Sequence, residues 1–182
     1  MNNRRRIELR YRTAWTAALG VSRQQTIREL ARLYPHLQSD MIRLTGIDKD
    51  VMSAWEIQWQ PPRSDDRGDF DWRAYVDDYR REPGYFDLAI WYGDVLCGLS
   101  LGLKDGNRVD VCLMESHPDP AHPLKGLVRF IVNDCAMAFA LACDVSRLRL
   151  RNPSPALLPL YERMGFHIVE RRNESIYCEK EV

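Results

Sequence analysis

Residues 152–166 have the sequence Asn-Pro-Ser-Pro-Ala-Leu-Leu-Pro-Leu-Tyr-Glu-Arg-Met-Gly-Phe, and this stretch decides how the chain is interpreted. Ser154 is a favoured residue for a helix start, and Gly165 is suited to the left-handed conformation that ends one. Before this segment, apolar and basic residues alternate over 147–151, the pattern of a strand. The sequence therefore predicts a strand, a helix and a further strand, with Tyr161 placed to project its hydroxyl into a crevice at the strand end.

Upstream of this unit, three β-rich runs follow one another with short turns between them. The runs cover residues 86–92, 95–103 and 109–115. Two- and three-residue turns between such runs predict antiparallel neighbours, hence a three-stranded meander. Residues 124–143 then carry apolar side chains at helical spacing, which predicts the longest helix, packed against the sheet.

The remaining segments give weaker patterns. A capping box beginning at Ser22 predicts a helix that ends before Pro35, and a short helical piece is expected at 39–44. Alternation over 54–60 predicts a strand, and residues 70–81 favour a helix. Two closing strands are expected at 166–170 and 175–179. We expect a helical N-terminal extension at 1–50 and one main domain at 51–182.

Composition narrows the class of protein. The 182 residues are 45% hydrophobic, and 26 basic side chains balance 26 acidic ones, so global charge does not indicate a polyanion partner. Five cysteines without paired spacing, no signal peptide and no apolar stretch of membrane length predict a cytoplasmic protein that makes no membrane contact. An arginine-rich start, Arg4 to Arg12, is interpreted as a solvated terminus, with RNA or acidic-partner contact as the alternative.

The element order and residues 152–166 together resemble the GNAT superfamily of N-acetyltransferases. In that superfamily an asparagine ends a strand, and the next helix closes with Leu/Phe-Tyr-Glu-x-x-Gly-Phe, as Asn152 and 160–166 do here. The resemblance implies an α/β fold with a central mixed, mostly antiparallel sheet flanked by helices. It also implies that acetyl-CoA is the co-substrate.

The same resemblance assigns residues 117–128 to the loop that binds the pyrophosphate of coenzyme A. Gly126 is retained, but Pro123 stands where Gln or Arg is usual, and Val128 stands where a second small residue is usual. A helix N-terminus with free amides, together with Lys125, still offers an anion site. The residues expected to contact the cofactor are Leu113, Met114, Lys125, Gly126, Leu127, Val128 and Asn152.

The implied reaction is direct attack of a primary amine on the thioester. Glu115, at the end of the third meander strand, is the candidate base, although strand alternation turns it toward the apolar side unless a bulge intervenes. The amide near Met114 would polarise the carbonyl. Tyr161 would protonate the departing thiolate. Asn152 has a second interpretation, in which it completes backbone pairing. No metal site is expected, because His117 and His122 have no third ligand nearby.

Two functional hypotheses remain open from the sequence. The first is an N-acetyltransferase whose acceptor is a small molecule, a protein or an aminoacyl-tRNA. The second is a catalytically silent module with the same fold that acts through protein or RNA contacts. A homodimer is left open as well.

Overall fold

A computed structural model describes residues 3–59, 70–172 and 175–182, with side chains for 13–59, 70–171 and 175–182. Residues 64–68, whose polar composition predicts a loop, lie outside the described residues, and the arginine side chains of the N-terminal tip lie outside the described side chains. Among the described helices, none has both the length and the hydropathy that crossing a bilayer requires.

A seven-stranded sheet organises the chain, in the order β1-β2-β3-β4-β5-β7-β6. The strands are β1 Ile42–Thr45, β2 Tyr85–Tyr92, β3 Val95–Asp105, β4 Arg108–Ser116, β5 Arg147–Arg151, β6 His167–Arg172 and β7 Ser175–Glu181. Every neighbouring pair is antiparallel except β4 and β5, which are parallel. The mixed, mostly antiparallel sheet expected from the sequence is therefore confirmed.

Helices cover both faces of this sheet. They are α1 Asn3–Leu33, α2 Lys49–Gln58, α3 Trp72–Tyr79, α4 Val128–Ala142 and α5 Leu158–Arg163. One core cluster joins α1 and α4 to the sheet, and a second joins α2 and α3 to the opposite face of β2 and β3. Because apolar side chains fill both layers, the central strands are buried on both sides.

The first fifty residues contribute to the main core. Trp15 of α1 packs edge-to-face on Phe139 of α4 with ring centroids 4.7 Å apart, and β1 pairs with β2. Asp87 of β2 accepts from Arg23 Nη2 at 2.7 Å and from the Ile47 amide at 2.8 Å. This buried carboxylate therefore ties α1, the loop after β1 and the sheet together.

Several predicted elements are corrected. No helix begins at Ser22, which lies inside α1 with its hydroxyl donating to the Leu19 carbonyl. The piece at 39–44 is a short 3-10 turn, Ser39–Met41, followed by β1. The strand predicted at 54–60 is not observed over its described part, 54–59, since α2 extends to Gln58. The meander, the helix within 70–81, the strand at 147–151 and the two closing strands are confirmed.

The long helix begins later than predicted. Residues 124–127 form turns, and α4 starts at Val128. It is also shorter than α1, which spans 31 residues. The late start matters for the site, because it places the first free amides of α4 beside Gly126.

Candidate active site

β4 and β5 pair over only part of their length. Their parallel ladder runs from Arg108 opposite Arg147 to Val111 opposite Leu150, while β4 continues to Ser116. Asn152 then takes a positive φ of 49° and turns the chain away. The edge of β4 beyond Val111 is therefore released from β5, and the two strands diverge.

A one-residue bulge in β4 marks the place where the strands separate. Leu113 lies opposite Leu101 and Val111 opposite Gly102, so Cys112 is the additional residue. A Cβ on Gly102 would lie 2.3 Å from the Asp110 carbonyl oxygen, which explains why glycine occupies that position. Because of the bulge, Val111 faces α4, whereas Leu113 faces α2 and α3.

The divergence forms a cleft of about 390 Å³, a volume in the range of small-molecule sites. The residues that line and define this cleft are Phe70, Val111, Cys112, Leu113, Met114, Ser116, Gly126, Val128, Arg129, Leu150, Arg151, Asn152, Pro153, Ser154, Leu157 and Tyr161. The two core clusters represented in this lining lie on opposite faces of the sheet, so the cleft passes between β4 and β5 from one face to the other.

Six of the nine residues singled out in the sequence line this cleft. They are Leu113, Met114, Gly126, Val128, Asn152 and Tyr161. Lys125 is exposed in the turn before α4, and Leu127 is the residue preceding the helix. Neither of these two is part of the lining, and neither is Glu115.

Tyr161 is positioned by the short helix α5. Gly165, with a φ of 86°, ends the helical segment, and Phe166 packs edge-to-face on the Tyr161 ring. Burial raises the pKa of the Tyr161 phenol, and the positive charge of Arg129 partly opposes that rise. The phenol therefore stays protonated at neutral pH and remains able to donate its proton.

The N-terminus of α4 contributes amides and a cation. The first N–H groups of a helix have no intrahelical acceptor and carry its positive dipole end. Gly126 reaches this turn with a φ of 81°, and Arg129 lines the cleft beside the first turn. The sequence does not single out Arg129, because a helix expected from residue 124 would place it beyond the first turn, whereas the observed start at Val128 places it within that turn.

Val128 occupies a pocket in the sheet. Its side chain is buried over Gly98 of β3, where a Cβ would come within 2.6 Å of Val128 Cγ1. The sheet therefore accommodates the Val128 isopropyl group because Gly98 has no side chain.

Glu115 faces the α3 side because of the bulge. It is buried, lies opposite Leu99, and its Oε2 accepts from the Trp72 indole N–H at 2.5 Å. The indole fixes the orientation of the carboxylate. The bulge therefore changes the face of Glu115, but it places the carboxylate against Trp72 and not among the residues that line the cleft.

Asn152 has a backbone-pairing role in addition to lining the cleft. Its N–H donates to the Ile176 carbonyl at 2.7 Å, and its side-chain oxygen accepts from the Ile176 N–H at 3.4 Å. These contacts continue the β5–β7 ladder past the end of β5.

A serine and a histidine connect the end of β4 to the following loop. Ser116 Oγ and His122 Nε2 are 2.9 Å apart, and the rings of His117 and His122 lie 5.8 Å apart. Burial lowers the pKa of His117. Within the described ranges, no group of three potential metal ligands includes these histidines.

Comparison with known proteins identifies the fold. No protein-family model matches the sequence, and no curated protein sequence matches it. The structure resembles ribosomal-protein-S18-alanine N-acetyltransferase of Escherichia coli, with a TM-score of 0.59 and 16% identity over 78% of this chain and 94% of that one.

Two further solved structures show the same likeness. Ard1 of Thermoplasma volcanium matches with a TM-score of 0.58 and 14% identity, over 78% of this chain and 98% of that one. A Bacillus subtilis acetyltransferase solved with coenzyme A matches with a TM-score of 0.53 and 18% identity, over 78% and 97%. With its split pair of parallel strands at the centre of a mixed sheet, this chain has the fold of the GNAT superfamily of N-acetyltransferases.

Proposed function

We propose that the protein is an acyl-CoA-dependent N-acetyltransferase that moves the acetyl group of acetyl-CoA to a primary amine by direct attack. The observation that carries the proposal is the divergence of β4 from β5, with Tyr161 among the residues that line the resulting cleft. The five cysteines are free thiols, which supports the reducing cytoplasm as the place where it acts.

The cleft offers contacts for two parts of coenzyme A, the pantetheine chain and the pyrophosphate. Beyond Val111, the N–H and C=O groups of β4 that β5 leaves unpaired offer hydrogen bonds to the amides of a pantetheine chain. At the α4 end, the first-turn amides and Arg129 supply positive charge for the pyrophosphate. Solved relatives of the fold contain coenzyme A, which supports the same assignment.

The chemistry follows from three groups around the divergence. As the amine nitrogen bonds to the thioester carbon, Glu115 accepts the proton that the nitrogen loses. The backbone amide at Met114 stabilises the charge on the carbonyl oxygen. When the carbon–sulfur bond breaks, Tyr161 donates its proton to the thiolate. Burial of the phenol supports its role as the acid, since it keeps the proton in place until sulfur develops charge.

The acceptor is proposed only as a primary amine. The Escherichia coli enzyme acts on an alanine of ribosomal protein S18, as its name states. That precedent keeps a protein acceptor among the candidates, beside small molecules and aminoacyl-tRNA.

Donor binding is tested by thermal unfolding of the full chain with increasing acetyl-CoA. A specific ligand at 100 times its Kd stabilises the native state by about 2.7 kcal/mol, so the midpoint temperature should rise with concentration. Arg129→Glu should abolish most of the rise. Arg163→Glu, an equal charge change at an exposed position on α5, should keep it. A midpoint that does not respond to acetyl-CoA in the unmodified chain would overturn the proposal and favour the catalytically silent module.

A further inference from the structure

The described residues that line the cleft include two charged side chains, and both are arginines. Among the described lining residues, Arg129 and Arg151 carry positive charge and no residue carries negative charge. The positive charge of Arg129, on α4, partly opposes the rise in the pKa of Tyr161. Arg151 lies instead among Cys112, Tyr79 and Asp110. The proposed donor site uses the first arginine and leaves the second without a role.

Arg151 lies on the face of the sheet opposite α4. Leu148 and Leu150 of β5 belong to the core shared with α1 and α4, so the alternating Arg151 projects the other way. Leu150 makes the last pair with β4. Arg151 is therefore the first residue of β5 past the point of divergence, beside the bulge at Cys112.

A buried carboxylate holds this guanidinium in place. The Asp110 side chain is 1% exposed. Its Oδ1 accepts a hydrogen bond from Arg108 Nε at 3.0 Å. Its Oδ2 accepts a hydrogen bond from Arg151 Nε at 2.8 Å and forms an ion pair with Arg151 Nη2 at 2.6 Å. Two arginines thus neutralise one buried carboxylate. The Nε–Nη2 edge of the planar Arg151 guanidinium is held in place by this contact.

The other edge of the fork remains available. A guanidinium has five N–H donors, and Asp110 engages Nε and one position of Nη2. Within the described part of the chain, no other acceptor hydrogen-bonds to Arg151. Its side chain is 38% exposed and borders the cleft. Three donors, including both of Nη1, therefore remain to contact a ligand.

We propose that the acceptor amine carries an anionic group, a carboxylate or a phosphate, which binds the open edge of Arg151. This inference rests on the proposed acetyltransferase function and names its substrate class. Planar, fixed donors match the oxygens of either anion. Phe70 and Leu113 line the same cleft and add apolar surface to it, which strengthens a charge pair formed there.

The test compares amines that differ only in their anionic group. The full chain is incubated with acetyl-CoA and either standard L-amino acids, their neutral carboxamides, or aminoalkyl phosphates, and thiol release is followed. We expect at least one anionic amine to exceed its neutral analogue by about 100-fold in kcat/KM, because a charge-assisted contact is lost in the analogue. The carboxylate and phosphate arms show which anion is selected.

Variants of Arg151 show whether it causes the preference. Arg151→Gln should reduce kcat/KM for the anionic amine to that of the neutral one, chiefly through KM, with acetyl-CoA stabilisation unchanged. Arg151→Lys keeps a cation beside Asp110 but loses the fork, so an intermediate value is expected. Arg147→Gln is the matched control, since Arg147 lies on the same face of β5 but pairs with Glu179 away from the cleft.

The outcomes separate the two proposals. If acetyl-CoA stabilises the chain but anionic amines react no faster than neutral ones, or do not react, the inference about Arg151 is overturned and donor binding stands. A preference that survives Arg151→Gln also overturns it. If acetyl-CoA fails to stabilise the unmodified chain, the acetyltransferase proposal itself fails.

Discussion

Val128, at the start of α4, packs its side chain directly over Gly98 of β3. A Cβ built on Gly98 would lie 2.6 Å from Val128 Cγ1 and 3.2 Å from Cγ2, closer than carbon atoms approach without displacement. The spacing between the helix start and the sheet therefore depends on this pair. Because the same turn carries Gly126 and Arg129 to the cleft, the pair also sets the position of the proposed donor site.

Adding a methyl group at Gly98 should disturb this contact. Gly98→Ala is expected to destabilise the protein by about 1–3 kcal/mol, the usual cost of overpacking a core. The double variant Gly98→Ala, Val128→Ala should be more stable than the sum of the two single changes predicts, because the second removes the clash. Urea unfolding of the four proteins measures this coupling. The control is Gly20→Ala, which should not destabilise the protein because a Cβ there meets no atom within 4 Å. If the changes in unfolding free energy for Gly98→Ala and Val128→Ala simply add in the double variant, the packing argument is contradicted.

The central sheet could be predicted because its signals are local. Turn dipeptides such as Gly93-Asp94 separate runs of β-forming residues, and Gly165 marks the helix end with its positive φ. The position of Tyr161 at a cleft followed from the same segment. These features depend on a few neighbouring residues, and the tertiary structure does not override them.

The N-terminal third was harder because two local signals conflict there. Trp55, Ile57 and Trp59 alternate like a strand, yet Asp48 caps the helix α2 by accepting from the Asp50 and Val51 amides. Ile57 is 77% exposed, so the alternation did not reflect burial.

Partners distant in the sequence decide which side chains reach the cleft. The cleft-facing positions of Arg129 and Arg151 depend on how α4 and β5 meet β4. Asp110, which orients the latter arginine, is 41 residues away from it in sequence. No pattern of neighbouring residues reports such pairings.

Removing the Tyr161 hydroxyl should slow the proposed chemistry. Tyr161→Phe keeps the buried ring and its contact with Phe166, so the fold and acetyl-CoA stabilisation should be preserved. The value of kcat should fall by about 100-fold or more, as for loss of a general acid. Tyr34→Phe, directly after α1 and outside the cleft lining, is the control. A normal turnover number in Tyr161→Phe would remove the phenol from the reaction.

Replacing Glu115 by glutamine should separate catalysis from structure. An amide oxygen still accepts from the Trp72 indole, so the buried contact survives while the ability to take a proton is lost. We expect kcat to decrease by about 100-fold or more, with unchanged stabilisation by acetyl-CoA. Steady-state rates for Glu115→Gln are compared with those of Glu82→Gln, an exposed acid. Equal rates would show that another group accepts the proton.

Alkaline pH should destabilise the protein through its buried thiols. Burial raises the pKa of Cys135 to about 11, and burial likewise raises the pKa of Cys97 to about 11, from an ordinary value of 9.0. A raised folded-state pKa gives stability that is fully present below pH 9 and is lost as pH rises toward 11, since only the unfolded thiol ionises in that window. For a shift of about two units, the loss is about 2–3 kcal/mol at Cys135, because each unit corresponds to about 1.4 kcal/mol.

Urea unfolding at a series of pH values from 8 to 11 measures this loss, and Cys135→Ala should make the dependence less steep while the contribution of Cys97 remains. Cys143→Ala serves as the matched control, because Cys143 is only partly buried and should leave most of the slope intact. The expected direction follows from where Cys135 lies, on the side of α4 that meets α1, with its sulfur 3.7 Å from Ser22 Oγ. An unchanged slope in Cys135→Ala would mean that the thiol reaches solvent, and hence that α1 does not stay packed over α4 in solution.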